Sequence, residues 1–158
     1  MVAVQYKDGK KWKRFTTPIF DIDYPNSLGT FFSGGAGLSS TAKDYATFLQ
    51  MYLNGGELNG KRLLSRTTVY SILSNQIGSI WEGGKDYGLA FEIVNEKGAM
   101  SGGDGSEGTF SWGGYFNTQY FADPRENIIG ILMKQTQDPI NDDTGWKFRQ
   151  MVFATIDD

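Results

Sequence analysis

Apolar residues recur at alternate positions near the N-terminus. Val2, Val4 and Tyr6, then Trp12 and Phe15, flank an Asp8-Gly9 turn signal, which predicts a hairpin of two short strands. Residues 17–38 carry two prolines, Asp21, Asp23, Asn26 and the pair Gly34-Gly35 without any period, and predict an irregular surface loop. The period then becomes helical. Ala42, Tyr45, Phe48, Leu49, Tyr52 and Leu53 fall at three- and four-residue steps behind Thr41 and Asp44, which have capping-box spacing; Gly55-Gly56 ends the helix. After an Asn59-Gly60 turn, Ser65 is placed to cap a second helix that ends near Asn75 and buries Val69, Ile72 and Leu73.

The second half of the chain reads as β. Tyr87, Leu89, Phe91 and Ile93 alternate as one half-buried strand, and the glycine-rich stretch 98–108 reads as an exposed loop. Strands are expected over 108–114, 117–122 and 127–135, and the apolar run Ile128–Met133 predicts a central strand buried on both faces. A closing helix over Thr144–Ile156 has a wide apolar face, with Trp146, Arg149, Phe153 and Ile156 beside Phe148, Met151 and Val152. The expected fold class is α+β, an antiparallel sheet of late strands with flanking helices. One domain over 1–158 is expected, divided into a hairpin and loop (1–38), two helices (39–75), antiparallel strands (86–135) and a C-terminal helix (143–157). So apolar a middle strand and so broad a helix face call for more neighbours than these elements supply.

Composition removes several chemistries. The 158 residues include no cysteine and no histidine, so disulfides, thiolate metal sites, His-ligated zinc and a Ser-His-Asp triad are all excluded. No metal site and no cofactor is expected. A pI near 5.0 argues against a dedicated nucleic-acid partner. The basic patch of Lys7, Lys10, Lys11, Lys13 and Arg14 is short. No apolar stretch reaches the length of a membrane span, and no signal-peptide pattern opens the chain.

Few residues suggest reactivity. Ser40-Thr41-Ala42-Lys43 spells S-x-x-K at a helix start, where a lysine can activate a serine; capping explains the same residues. Gly102-Gly103-Asp104-Gly105-Ser106 lacks the lysine of a phosphate loop and reads as a turn. The acidic residues, Asp142 and Asp143 among them, form no acid/base pair and are expected in solvent. Trp112-Gly113-Gly114 is more informative: paired glycines in a strand suit either a ligand lying against the backbone or a bulge.

Longer stretches carry a family likeness. Gly34-Gly35-Ala36-Gly37-Leu38-Ser39-Ser40-Thr41-Ala42-Lys43-Asp44-Tyr45 and the helices after it resemble the G-G-x-G-L-x-S-T-A-x-D-Y segment of the serine β-lactamase-like family. That family includes class C β-lactamases, carboxylesterases, D-aminopeptidases and penicillin-binding carboxypeptidases. Tyr87–Ile93 resembles its Y-G-L-G-F-x-V strand, and Phe110-Ser111-Trp112-Gly113-Gly114 resembles an esterase-type W-G-G form of its third catalytic motif, K-T-G or H-x-G in relatives. Tyr120–Pro124 and Ile129–Gln135 resemble the strand pair that follows.

The likeness implies that the chain corresponds to the C-terminal part of the family domain. The family's nucleophile motif S-x-x-K and its Y-x-N tyrosine lie upstream of G-G-x-G-L, so neither is expected here. Ser40 and Lys43 then belong to a structural segment, and the triplets starting at Tyr24, Tyr52 and Tyr115 are coincidental Y-x-N spellings. By the same likeness, Trp112, Gly113 and Gly114 would bind substrate and the Tyr115 backbone amide would be an oxyanion donor. Trp112 stands where relatives carry lysine or histidine, which favours the esterase-like branch.

The implied substrate is a small acyl compound, whether β-lactam, ester or D-amino-acid peptide. The chain alone is expected to lack turnover, and self-association or pairing with a missing N-terminal part is expected of the sheet edge. The compartment stays open, since relatives are often exported. Two alternatives stand beside this reading: a non-catalytic scaffold relative, and a self-contained Ser40-Lys43 hydrolase.

Overall fold

The computed structural model describes residues 2–18, 29–30, 33–35, 37–137 and 142–156. Most of the expected loop over 17–38, including Asp21, Asp23 and the Tyr24 triplet, lies outside them, as do Asp157 and Asp158. The architecture is α+β, with an antiparallel sheet between helices.

The N-terminal hairpin forms as expected from β1 (Gln5–Asp8) and β2 (Lys11–Arg14). A short strand from the far end of the chain, β10 (Thr136–Gln137), joins it in parallel to β1, so the order is β10-β1-β2. Helix α1 (Ala42–Leu53) starts where the capping box predicts, with the Thr41 hydroxyl accepting from the Asp44 amide (3.2 Å) and donating to its carboxylate (2.9 Å). Gly55 and Gly56 have φ of +63° and +94°, and their amides reach back to the Tyr52 and Met51 carbonyls to stop the helix. A two-rung ladder of β3 (Glu57–Leu58) and β4 (Lys61–Arg62) leads to α2 (Arg66–Ile72), whose Thr68 amide is capped by Ser65 at 3.0 Å.

The main sheet has five antiparallel strands in the order β5-β6-β7-β8-β9: β5 (Lys85–Tyr87), β6 (Glu92–Val94), β7 (Phe110–Gly113), β8 (Gln119–Asp123) and β9 (Ile128–Leu132). One face packs on α1 and α2. Leu49, Tyr52, Phe91 and Phe110 meet there, with the Tyr52 and Phe91 rings edge to face at 5.1 Å and Phe91 and Phe110 at 5.0 Å. Against the other face lies α4 (Thr144–Phe153), whose Phe148 and Phe153 rings meet Phe121 at 6.2 and 5.2 Å.

Four expectations are corrected. The alternation from Tyr87 to Ile93 is not one strand: the Gly88 amide bonds the Phe91 carbonyl (2.9 Å), and the chain turns over 88–91 between β5 and β6. Alternation holds on both sides of the turn, which is why it read as continuous. The stretch 98–108 is not all loop, because Glu96–Ser101 forms helix α3, capped by the Asn95 side chain on the Gly98 amide (3.0 Å). Strand β9 is not central. It closes the sheet and pairs only with β8 among the described residues, with Ile128, Ile129, Ile131 and Leu132 half-buried. Finally, Trp146 and Met151 leave the apolar face of α4 and are 54% and 70% exposed.

A buried carboxylate ties the sheet to the loop before β7. Asp123 is fully buried and accepts from the amides of Ser106 (2.8 Å), Arg125 (2.9 Å) and Glu126 (3.0 Å) and from the Thr109 hydroxyl (2.8 Å). Burial alone would raise its pKa, but these four donors outweigh burial and hold the carboxyl below its ordinary value. The stabilisation is therefore complete above about pH 4, where the unfolded carboxyl is ionised, and is lost as pH falls through the lower native value. Asp123→Ala, which strands those donors, is expected to cost about 3 kcal/mol in urea unfolding at pH 7, and the gap from the parent should narrow towards pH 2.

Candidate functional site

The site is built on the end of β7. In an antiparallel ladder successive residues turn their amides to alternate sides. The Gly114 amide bonds the Thr118 carbonyl (2.7 Å), and Trp112 pairs with Tyr120, so these residues face β8. Ser111 and Gly113 therefore turn to the β6 side. Opposite Ser111 stands Glu92, the last residue of β6 in register, and beyond it the chain has already turned away over 88–91. The Gly113 amide and carbonyl thus project past the end of β6, with no strand opposite them among the described residues. A Cβ at Gly114 would lie 2.2 Å from the Thr118 hydroxyl, which would have to rotate away.

Beside this open edge is a cleft of about 450 Å³ between the sheet and α4. Trp112, Gly113 and Gly114 line it together with Glu92, Ser111, Gln119, Phe148 and Arg149, so the structure brings the three expected substrate-binding residues to one cavity. Trp112 is 49% exposed and meets the Tyr87 ring edge-on at 6.0 Å.

Charges from β5, β6, α4 and the loop at Asp104 meet around the cleft, most of them paired. Lys85 bridges Glu92 (3.3 Å) and Asp104 (2.9 Å), and the Arg149 guanidinium donates to the Asp104 carbonyl and lies 3.8 Å from its carboxylate. Arg149 also donates to the Ser111 hydroxyl (3.3 Å), which donates onward to Glu92 (3.4 Å), and its Nε is buried without a hydrogen-bond partner above the Phe121 ring. Burial pulls the arginine pKa below its ordinary value, against Asp104, Glu92 and Asp123, which pull it back up.

Tyr115 stands in the turn that follows, with its side chain 64% exposed and its hydroxyl accepting from the Gln137 amide (3.2 Å). Asn117 holds this turn. Its φ is +69°, its amide bonds the Gly114 carbonyl (2.9 Å), and its side chain donates to Thr136 (3.0 Å) and Asp142 (3.1 Å). Asp142 is not in solvent as expected: it also accepts from Lys134 and from the Thr144 amide (3.0 Å) at the start of α4. The Lys134 hydrogen bond, followed by the Thr144 hydroxyl, brings the Asp142 carboxyl down to about 2.

Ser40 and Lys43 do not join this site. Both are exposed at the start of α1, where the Ser40 hydroxyl donates to the Thr41 carbonyl (3.3 Å), and neither lines the cleft. The Tyr52 triplet is equally remote from it, with Tyr52 in the core and Asn54 closing α1. Sequence reading missed Glu92, Ser111, Gln119 and Asn117. Arg149 carried a signal, being a charged residue in a helical stripe otherwise made of apolar ones. Among the described residues no cluster of His, Cys, Asp or Glu could hold a metal ion, and no helix is long and apolar enough to cross a membrane.

A family model described as Beta-lactamase matches residues 2–154. The chain belongs to the beta-lactamase family. Among curated proteins, protein Rv1367c of Mycobacterium tuberculosis strain H37Rv is 32% identical over 118 residues, 67% of this chain and 29% of that protein. MT1414 of strain CDC 1551 matches to the same extent. Among solved structures, EstCE1, a hydrolase with promiscuous acyltransferase activity, superposes with a TM-score of 0.78 at 18% identity, over 96% of this chain and 43% of that one. Simvastatin synthase (LovD) from Aspergillus terreus gives 0.73 at 18% identity, over 96% and 42%. These likenesses establish a beta-lactamase-like fold, and the chain spans less than half the length of each relative.

The Asp142 bonds predict a measurable loosening of the turn. Asp142→Asn is expected to raise amide hydrogen exchange at 115–118 by about tenfold, with exchange at the Asp123 anchor unchanged; equal exchange at both would show that Asp142 does not hold the turn.

Proposed function

We propose that this chain is the part of a serine acyl hydrolase or acyltransferase that supplies one wall of the acyl pocket, and that the attacking serine and its lysine and tyrosine partners lie on a polypeptide segment outside it. The open backbone edge at Gly113 carries this reading. An extended acyl group laid along it meets an amide and a carbonyl that no strand among the described residues uses, with Trp112 beside it. Trp112, Gly113 and Gly114 position the substrate, and the Tyr115 amide donates to the oxyanion as the carbonyl carbon becomes tetrahedral. Donors held in place in advance stabilise the transition state more than the ground state, which is where rate enhancement arises. EstCE1, a hydrolase with promiscuous acyltransferase activity, and simvastatin synthase fit an acyl substrate. Trp112 in place of a cation favours neutral esters over carboxylate-bearing β-lactams.

The chain by itself is expected to give no turnover of p-nitrophenyl esters or chromogenic β-lactams. Turnover that disappears in Ser40→Ala would overturn the proposal and establish the self-contained alternative.

The free edge of β9 supports the reading of a longer polypeptide, because five uncharged residues there have no strand on their outer side among the described residues. The isolated chain is expected to self-associate through this edge, and Ile131→Lys should return it to a monomer in light scattering coupled to size-exclusion chromatography. A parent chain that stays monomeric from 1 to 100 μM would sink the edge argument.

A further inference from the structure

The basic hairpin takes no part in the acyl site. Cross-strand pairing sorts its side chains onto two faces: Tyr6 opposite Lys13 and Asp8 opposite Lys11 on one, Gln5 opposite Arg14 and Lys7 opposite Trp12 on the other. On the first face only Tyr6 is half-buried. Tyr6 meets the Phe15 ring at 6.5 Å, Phe15 meets Phe116 at 6.2 Å, and the exposed Lys13 pairs with the exposed Asp8 at 2.5 Å.

Among the paired residues of β1 and β2, the second face holds no acidic one. It presents Lys7 beside an indole that is 55% exposed, and Lys10 adds a charge at the tip. Strand β1 is tied to β10, so among the described residues β2 is an outer strand of its sheet, and all of its residues are exposed. Residues 5–14 thus carry five basic side chains and one acidic in a chain whose net charge is −3, so the patch runs against the charge of the whole. Charge alone explains the lysines but not an exposed tryptophan among them.

We propose that this hairpin is a peripheral docking element for an anionic lipid surface, with Trp12 seated at headgroup depth and Lys7 and Lys10 against the lipid phosphates. An indole is stable where one end is apolar and the other wet, and lysine stems lie along apolar surface while their ammonium groups stay in water. Basic side chains near an anionic bilayer add attraction charge by charge. A single indole at an exposed strand edge is not the stacking platform or groove that a nucleic acid needs. The inference does not depend on the acyl reading, since no residue is shared.

The test is co-sedimentation of the full chain with vesicles of 4:1 phosphatidylcholine and phosphatidylglycerol, and with phosphatidylcholine alone, at low and high salt. Binding is expected to the anionic vesicles only, and to weaken with salt. Lipids brominated near the headgroup should quench part of the tryptophan emission, and Trp12→Phe should remove that part. Lys7→Gln with Lys10→Gln should weaken binding by about fivefold per charge, while the two arginine substitutions should preserve it. No binding to the anionic vesicles, or binding indifferent to these substitutions, overturns the proposal. So does retention on duplex DNA with the vesicles left unbound, which gives the hairpin to a nucleic acid instead.

Discussion

The turn at residues 88–91 determines what the rest of the sheet can do. Had β6 continued in register with β7, its backbone would have satisfied Gly113, and the strand end beside Trp112 would be an interior rung. Instead the Gly88 amide closes on Phe91, and the Leu89 amide is taken by the Ile72 carbonyl (3.1 Å) at the end of α2. The turn is thereby pinned to the helical layer. A Cβ at Gly88 would lie 2.0 Å from that carbonyl, so the docking tolerates little drift. The early end of β6, the open edge of Gly113 and the mouth of the cleft are consequences of one short hairpin.

The opposite side of β7 is fixed independently. Asn117, Asp142 and Lys134 bind the turn after β7 to β10 and to the start of α4, while Asp123 binds the loop before β7 to the end of β8. An oxyanion donor works only if its position is set before the charge develops, and both ends of the strand are held by charge-assisted hydrogen bonds. The Tyr115 side chain is exposed, but its backbone lies between two anchored residues, Gly114 and Asn117.

Local signals were legible in the sequence and non-local ones were not. Thr41 with Asp44, Ser65 and Gly55-Gly56 announced both main helices, because a cap is settled by residues within a few positions of one another. That Trp112-Gly113-Gly114 belong to a strand end was legible for the same reason. Whether Ile128–Leu132 would be central depended on which strands exist beside it, and an apolar run only shows that two faces want cover. Leu89 and Ala90 fit the alternation of a strand and form a turn, because periodicity does not register a reversal between two strands of matching phase. Asp142 and Arg149 were misjudged for a third reason. Their partners Lys134, Asn117, Asp104 and Ser111 come from other elements, and a charged residue looks solvated until the chain delivers its counter-ion.

Under the proposed role, the charges around the cleft bear on the kind of acyl group it would suit. Arg149 lines the cleft from α4, Lys85 of β5 pairs with Glu92, another of its lining residues, and either one is a candidate cation for a substrate carboxylate. Their pairing argues against it. Lys85 is shared between two carboxylates at 3.3 and 2.9 Å, and the two terminal nitrogens of Arg149 donate to Ser111 and to the Asp104 carbonyl, beside the Asp104 carboxylate. Attraction between charges falls with distance and with the dielectric between them, so a substrate carboxylate arriving from water would have to displace Glu92 or Asp104 from contacts already formed. A neutral ester asks for no such exchange. It needs an apolar flank, which Trp112 and Phe148 offer, and a backbone amide for its carbonyl oxygen. The proposed preference for neutral acyl groups therefore rests on two features, a tryptophan rather than a cation at position 112 and the pairing of Lys85 and of the terminal nitrogens of Arg149.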